Sequence, residues 1–213
     1  MAKTARTKEE IFANTREMLV MAENGLAQAT SQDPKQRRAG LMNLFSYGRS
    51  VTAAIQTIKH TDLEFEDWWK PYQAWMQADP LMKYFNQARV EVIHEGRLSV
   101  HSSTVIGANE PVDIGAFIRE LNKYAPPNTV GTFFGEGRTG GNGWEVRMPD
   151  RSTQKVYFSL PETFDVRSEL HLTDPPTEHD GQPVTDTSVA NIGTLYVNTL
   201  KRIVTEFETR FKF

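Results

Sequence analysis

Apolar side chains recur every three or four positions along residues 1–96, which is the spacing of helices that bury one face. Thr7 and Glu10 form a capping-box pattern, so a first helix is predicted to begin there and to run to about residue 30. Asp33-Pro34 predicts the start of a second helix, because Asp favours the N-cap and Pro the first helical position. The second helix carries a heptad-like apolar seam that suits an antiparallel neighbour: Leu41, Leu44, Gly48, Val51, Ile55 and Ile58.

Two further helices are predicted between Thr61 and Gly96. The third is rich in aromatic residues, and we expect Pro71 to kink or shorten it. Asp79-Pro80 repeats the combination of a capping residue and a proline, so the fourth helix is predicted to start there and to end at Gly96.

The pattern changes after Gly96 to short runs of β-branched and aromatic residues separated by turn residues. These runs, at 99–106, 130–134, 144–148 and 155–160, predict short strands, and Asp113 is expected to cap a short helix between the first two. Residues 173–187 are predicted to form a loop. From Asp186 onward a long amphipathic helix is expected to pack back on the first helices, through Val189, Ile192, Tyr196, Leu200, Ile203, Phe207 and Phe211.

These elements predict an α+β protein that is mainly helical. The expected architecture is an antiparallel helical bundle with a small antiparallel β insertion before the last helix. The domain boundaries follow from the same pattern, with a bundle at 1–96, an insertion at 97–185 and the completing helix at 186–213.

Composition limits the chemistry, the compartment and the binding partners that we expect for this protein. The chain has 213 residues with 24 basic and 27 acidic side chains, a net charge of −3, and no Cys, which excludes disulfides, thiolate zinc sites and a cysteine nucleophile. No run of residues is apolar enough to span a membrane and the start lacks a signal-peptide pattern, so we expect a soluble, cytoplasmic protein. The overall charge does not favour nucleic acid binding, and any RNA surface is expected to be local, around Lys35, Arg37, Arg38 and Arg49.

The fourth helix carries the candidate catalytic residues Arg89, His94 and Glu95. Five positions along an α-helix turn the chain by about 500°, so Arg89 and His94 are expected about 140° apart, on either side of a groove. A neutral imidazole can move a proton to or from a ribose oxygen, and a guanidinium can hold a phosphate and offset its developing charge. Glu95 is the third candidate, as a helper to these two side chains. The alternative roles are an ion pair for Arg89 and a helix-end contact with the macrodipole for His94.

The order of residues in this helix resembles the HEPN family. The resemblance rests on Asp79-Pro80, the aromatic stretch, Arg89 followed four residues later by His94, and Glu95-Gly96, together with Pro175-Pro-Thr-Glu-His179 before the last helix. The order of these residues looks like a version that recurs in uncharacterised bacterial members of that family. The resemblance implies a homodimer with two Arg-His pairs facing one cleft, a metal-independent endoribonuclease without cofactor, a defence or toxin–antitoxin role, and a protein partner such as an antitoxin.

The alternative is a non-catalytic homodimeric protein that binds a partner or a ligand. Val90 and Glu91 favour this alternative, because an apolar side chain and a carboxylate beside Arg89 do not help to hold a phosphate. The aromatic cluster of Trp68, Trp69, Tyr72 and Trp75 is expected to form part of the dimer interface.

Two other motifs have simpler explanations. Residues 135–140 match G-x-G-x-x-G, but a strand follows them instead of a helix, so we interpret them as a hairpin loop. A second group contains possible metal ligands, but its spacing fits no helical pair of ligands and a solvated acidic loop without metal is the favoured interpretation: His171, Asp174, Glu178, His179 and Asp180.

Overall fold

The structure, a computed structural model, describes residues 6–31, 33–107, 112–135, 141–161 and 164–212. These residues form an α+β fold with six α-helices and several short antiparallel strands. The α-helices are α1 (Lys8–Ala29), α2 (Pro34–Ile55), α3 (Phe65–Ala78), α4 (Pro80–Val90), α5 (Ile114–Leu121) and α6 (Val189–Phe211). The strands are β1 (Val100–Ile106), β2 (Thr129–Phe133), β3 (Gly143–Arg147), β4 (Thr153–Tyr157), β5 (Val166–Leu172), β6 (Glu178–His179) and β7 (Gln182–Pro183).

Contacts divide these residues into two compact units. The helical unit contains the described residues up to Ser31, Gln36–Ser99 and those from Leu172 onward, and the β-containing unit contains residues 33–35 and those described within Val100–His171. The segment 172–185 therefore lies with the helices, whereas the sequence pattern placed it in the insertion.

The predicted helix starts are confirmed for α1 and α4. The Thr7 hydroxyl accepts a hydrogen bond from the Glu10 backbone N–H at 3.2 Å, and the Glu10 carboxylate accepts one from the Thr7 N–H at 2.9 Å, which is a complete capping box. Asp79 caps α4, and its carboxylate accepts a hydrogen bond from the Met82 N–H at 3.0 Å. Pro71 lies inside α3, and the helix continues past it to Ala78.

The backbones of α1 and α2 pack directly against each other where two glycines meet. A Cβ atom on Gly40 would lie 2.2 Å from the Ala29 backbone nitrogen, and one on Gly25 would lie 2.6 Å from the Leu44 nitrogen. Only residues without a side chain allow this approach, so the two glycines set the spacing of the first two helices.

The last helix completes the core of the helical unit. Its buried face lies against α1 and α4, where Phe207 packs on Phe12 with ring centroids 4.9 Å apart and Tyr196 stacks on Phe85 at 3.7 Å. The expected return of this helix is confirmed. Its buried residues include Ile192, Tyr196, Leu200, Ile203, Phe207 and Phe211, all of which belong to the predicted apolar face.

α4 ends in a wider turn than an α-helix has. Residues Glu91–Glu95 form a π-helical turn in which the Gly96 N–H bonds to the Glu91 carbonyl, five residues earlier. Gly96 then adopts a left-handed conformation with φ 62°, which ends the helix as the glycine predicts.

The β-containing unit is built on an antiparallel sheet of order β2-β3-β4, with a separate β1-β5 pair. Leu121 of α5 packs with Trp144 and Val146 of β3 to form its small core. The helix capped by Asp113 is confirmed, since this carboxylate accepts a hydrogen bond from the Ala116 N–H at 3.0 Å.

The sequence pattern did not predict one strand and one short hairpin. β5 was not predicted, and residues 173–187, expected as a loop, contain the β6-β7 hairpin. Most of the G-x-G-x-x-G motif, residues 136–140, lies outside the described residues. Within the part of the chain that the structure describes, no helix is both long and apolar enough to cross a bilayer.

Candidate functional site

The three predicted catalytic residues lie at the end of α4 and in the π-helical turn that follows it. The Arg89 side chain is half-buried, whereas His94 and Glu95 are exposed. Glu95 pairs with Arg97, with a carboxylate oxygen 3.5 Å from a guanidinium nitrogen. Among the described residues, the side chains of Arg89 and His94 make no hydrogen bond or ion pair. The alternative role of Arg89, an ion pair, is therefore absent from the described part of the chain, and no described contact links Arg89 to His94.

A different set of polar residues converges in the interior of the helical unit. His179 lies between Asp79 and Thr199, with its Nδ1 3.1 Å from the Asp79 carboxylate and its Nε2 2.9 Å from the Thr199 hydroxyl oxygen. A carboxylate only accepts hydrogen bonds, so Nδ1 donates to Asp79. The same carboxylate accepts from the backbone N–H groups of Met82 and Asp180. This Asp79-His179-Thr199 network connects α4, the β6-β7 hairpin and α6.

A carboxylate, an imidazole and a hydroxyl in this order can activate a nucleophile in enzymes. Here, however, Asp79 is 5% exposed, His179 9% and Thr199 4%, so a substrate has no access to the hydroxyl. The network therefore holds three elements together. This outcome corrects the interpretation of His179 as part of a solvated acidic loop.

Asp79, His179 and Asp180 also lie close enough together to be considered as metal ligands, with one ligand atom from each within 4.8 Å of the others. All three already have protein partners. Asp79 accepts three hydrogen bonds, and Asp180 pairs with Arg202 at 3.0 Å. A metal ion would have to break these contacts. Protein hydrogen bonds thus explain the cluster, and no metal is needed to account for it.

The Arg202 guanidinium also covers an aromatic ring. Its central carbon lies 5.4 Å from the centroid of the Trp75 ring, in the geometry of a cation–π contact. The partially exposed Trp75 is thus held against α6 of its own chain. Trp68, also partially exposed, packs on Phe207 and Phe211, so both tryptophans contact side chains of their own chain.

A cavity of about 290 Å³ lies among the helices α2, α3, α4 and α6. We refer to it as the polar cavity, because most of its lining side chains carry hydrogen-bonding groups. Successive turns of α2, α3 and α4 provide most of this lining, and α6 adds one residue. The lining residues are Arg49, Thr52, Gln56, Trp69, Gln73, Met76, Gln77, Met82, Lys83, Asn86 and Tyr196.

Trp69 is the unusual member of this lining. It is 2% exposed, and its indole Nε1 is buried without a hydrogen-bond partner among the described residues. A buried donor without an acceptor costs about 1–3 kcal/mol, so such groups are uncommon in folded proteins. A ligand that accepts a hydrogen bond from this nitrogen would offset that cost.

The sequence pattern singled out three residues of the polar cavity but placed them in other roles, with Tyr196 expected on the apolar face of the last helix. Trp69 was expected at a dimer interface, and Arg49 in a local basic surface that also included Arg37. Arg37 is 4% exposed, so it is not part of such a surface. The remaining lining residues had no recognisable motif, since they are common polar side chains that only the packing of four helices brings together.

Comparison with known proteins corrects the predicted family. The model of the family described as bacteriophage lambda protein ea47 matches residues 26–109, about two-fifths of the chain. No curated protein and no solved structure matches the chain. The resemblance to the HEPN family predicted from Arg89 and His94 is therefore wrong, because the family model that matches this region is a different one. The matched region includes α2, α3 and α4, so the chain is similar to the ea47 family over three of the four helices that line the polar cavity.

Proposed function

We propose that this protein is a non-catalytic binding protein that holds a small polar molecule in the polar cavity. The observation that carries the proposal is the buried Trp69 indole N–H, which lacks an acceptor among the described residues and belongs to the lining of this cavity. Pockets that bind small molecules typically combine apolar walls with a few well-placed polar groups, and have volumes of about 300–1,000 Å³. The polar cavity lies at the lower end of that range.

The composition of the lining favours binding over catalysis. The side chains that the structure describes around the cavity include no Asp, Glu, His, Cys or Ser, which are the usual general acids, bases and nucleophiles. Amides dominate instead, through Gln56, Gln73, Gln77 and Asn86. Such groups orient a ligand by hydrogen bonds, and they do not titrate near neutral pH.

The test compares two tryptophan substitutions at neighbouring positions of α3. Gln73→Trp places a large side chain at a lining position, whereas Ala74→Trp adds the same side chain at an exposed position outside the lining. A library of small polar compounds is screened by thermal shift, and native mass spectrometry of the purified protein detects any bound molecule. We expect saturable binding by the wild type and Ala74→Trp, and loss of binding in Gln73→Trp. Equal binding by both variants would contradict the proposal.

Action on RNA is the second candidate function. It is favoured by the absence of an ion pair at Arg89 among the described residues and by the exposed His94 on a π-helical turn, a type of turn that is frequent at functional sites. The test is cleavage of total RNA in EDTA by the wild type, Arg89→Ala and His94→Ala. Cleavage by the wild type that both substitutions abolish is expected if this function is correct.

Homodimerisation remains a prediction, which light scattering of the same samples measures.

A further inference from the structure

The polar cavity has an uncompensated positive charge. Arg49 of α2 and Lys83 of α4 both contribute to its lining, and the lining residues that the structure describes include no carboxylate. Among the described residues neither cation takes part in an ion pair; the described polar contact of Arg49 is a hydrogen bond to the neutral Thr52 hydroxyl. Two cations facing a partly enclosed volume without counter-charge create a positive potential there, which favours an anion.

Two neutral donors add to these cations. Trp69 belongs to the lining and has a buried Nε1 without a hydrogen-bond partner among the described residues, and Tyr196, a residue that is 3% exposed, also belongs to the lining. Burial raises the pKa of Tyr196 far above its usual value, although the nearby Arg49 guanidinium acts in the opposite direction. The phenol is therefore protonated at neutral pH and can donate a hydrogen bond. Gly48 leaves room for this ring, since a Cβ there would lie 2.4 Å from a Tyr196 ring carbon.

The walls also include apolar surface. Met76 and Met82 contribute flexible thioether side chains, and the Trp69 ring forms part of the lining. A bare inorganic ion would leave this surface uncovered. An organic molecule of metabolite size would cover it and still place one charged group near the cations.

We infer that the ligand of the polar cavity is a small organic oxyanion, a molecule with an apolar or planar body and a carboxylate or phosphate group. The inference rests on the proposed function, since it names the chemical class of the ligand at the same site. The oxyanion receives charge-assisted hydrogen bonds from Arg49 and Lys83, and the buried N–H of Trp69 supplies a neutral one. An oxyanion accepts several hydrogen bonds at once, which matches the excess of donors in this lining.

The test uses pairs of probes that share a phenyl ring and differ in charge. Benzoate is compared with benzamide, phenyl phosphate with phenol, and inorganic phosphate is added alone, with binding measured by calorimetry and thermal shift. We expect saturable binding by benzoate or phenyl phosphate, weaker binding at high ionic strength, and no binding by the neutral counterparts. Inorganic phosphate alone should bind more weakly than phenyl phosphate, because it leaves the apolar walls uncovered.

Charge-removing variants identify the site. Lys83 is exposed, so Lys83→Gln should leave the fold intact. It should weaken binding of the anionic probe about tenfold or more, because the anion loses a charge-assisted hydrogen bond. Arg49→Gln should act in the same direction. Lys59→Gln, at an exposed lysine outside the lining, is the matched control and should leave binding unchanged.

The outcomes separate the two proposals. Equal binding of charged and neutral probes, blocked by Gln73→Trp, would overturn the oxyanion inference and leave the binding function standing. Anion binding that is unaffected by Lys83→Gln and Arg49→Gln would also overturn the inference. Failure of every probe to bind would overturn it as well, and an empty protein by native mass spectrometry would then remove the proposed function too.

Discussion

The carboxylate of Asp79 and the imidazole of His179 lie 3.1 Å apart although 100 residues separate them in the chain. Asp79 starts α4, and His179 belongs to the hairpin that precedes α6. The same carboxylate accepts the Met82 N–H, so one side chain both caps a helix and anchors the hairpin. Asp79 therefore stabilises the helical unit in two ways: it caps α4, and it holds the distant hairpin through His179.

Replacement of Asp79 by Ala should destabilise the protein by about 3 kcal/mol, because it removes a helix cap and leaves buried donors of His179 and Asp180 without an acceptor. Urea unfolding followed by circular dichroism measures this loss. Ser188→Ala is the control, since Ser188 caps α6 and its hydrogen bonds within the described part of the chain are local, and it should cost about 1 kcal/mol. Similar losses in the two variants would show that Asp79 acts as a cap alone.

His179 and Thr199 should be energetically coupled. Thr199→Val keeps the shape of the side chain but removes the partner of His179 Nε2, and we expect it to cost about 1–2 kcal/mol. A double-mutant cycle with His179→Phe measures the coupling, which should be about 1 kcal/mol. Thr205→Val, at an exposed position of the same helix, should be close to neutral. Additive losses in the cycle would mean that the hydrogen bond contributes little to stability.

The close approach of α1 and α2 should make Gly40 intolerant of any side chain. Gly40→Ala gains about 1 kcal/mol of helix propensity, but the new Cβ would meet backbone atoms that have no room to move, so we expect a net loss of about 2 kcal/mol. Thermal unfolding checks the sign. Gly115→Ala is the comparison, because a Cβ there would meet only side-chain atoms, at 3.2 Å and beyond, and it should stabilise α5. An unchanged or raised melting temperature of Gly40→Ala would contradict this packing.

One surface ion pair should make stability depend on pH. A hydrogen bond from Lys8 is the largest cause that lowers the pKa of Asp62, with the two groups 2.8 Å apart. A lowered pKa in the folded state means that the pair stabilises the protein above the unfolded pKa of about 3.9 and that this contribution is lost as the pH falls through the lower folded value.

The measurement compares the unfolding midpoints of the wild type and Lys8→Gln from neutral pH down to about pH 2–3, below the usual range of Asp. Removing a cation from the start of α1 also has a favourable effect through the helix dipole, but that effect does not change with the charge of Asp62. The unfolding midpoint of the wild type should therefore increase relative to that of Lys8→Gln as the pH rises. Lys70→Gln, in an exposed pair with Asp67, should show no such shift. A constant difference across this range would contradict the assignment.

The sequence predicted the elements whose signals are local. The capping residues Thr7, Asp79 and Asp113 each marked a helix that the structure contains, because a cap and its helix lie within a few residues of one another. The missed hairpin also had a local signal, Asp180-Gly181, whose positive φ angles of 51° and 70° suit a tight turn between two strands. β5 also has a local signal, because Val166, Ser168 and Leu170 are more buried than the residues between them, a period-two pattern.

The candidate site was not predictable in the same way. The polar cavity and the network around Asp79 and His179 both include residues of α6. In the sequence, the β-containing unit separates α6 from the other helices of the helical unit. No spacing rule connects Trp69 to Tyr196. The Arg89–His94 motif, by contrast, is local and easily noticed, and it led to a family assignment that the comparison overturned.

The division of the helical unit between two distant parts of the chain has a consequence during synthesis. When Ser99 leaves the ribosome, α1 to α4 are complete, but the rings of Phe12 and Phe85 still lack Phe207 and Tyr196. Translation at about 5–20 residues per second delays those partners by on the order of 10 s. The nascent chain therefore exposes apolar helix faces for that time, and chaperones have their best opportunity to bind it in this interval.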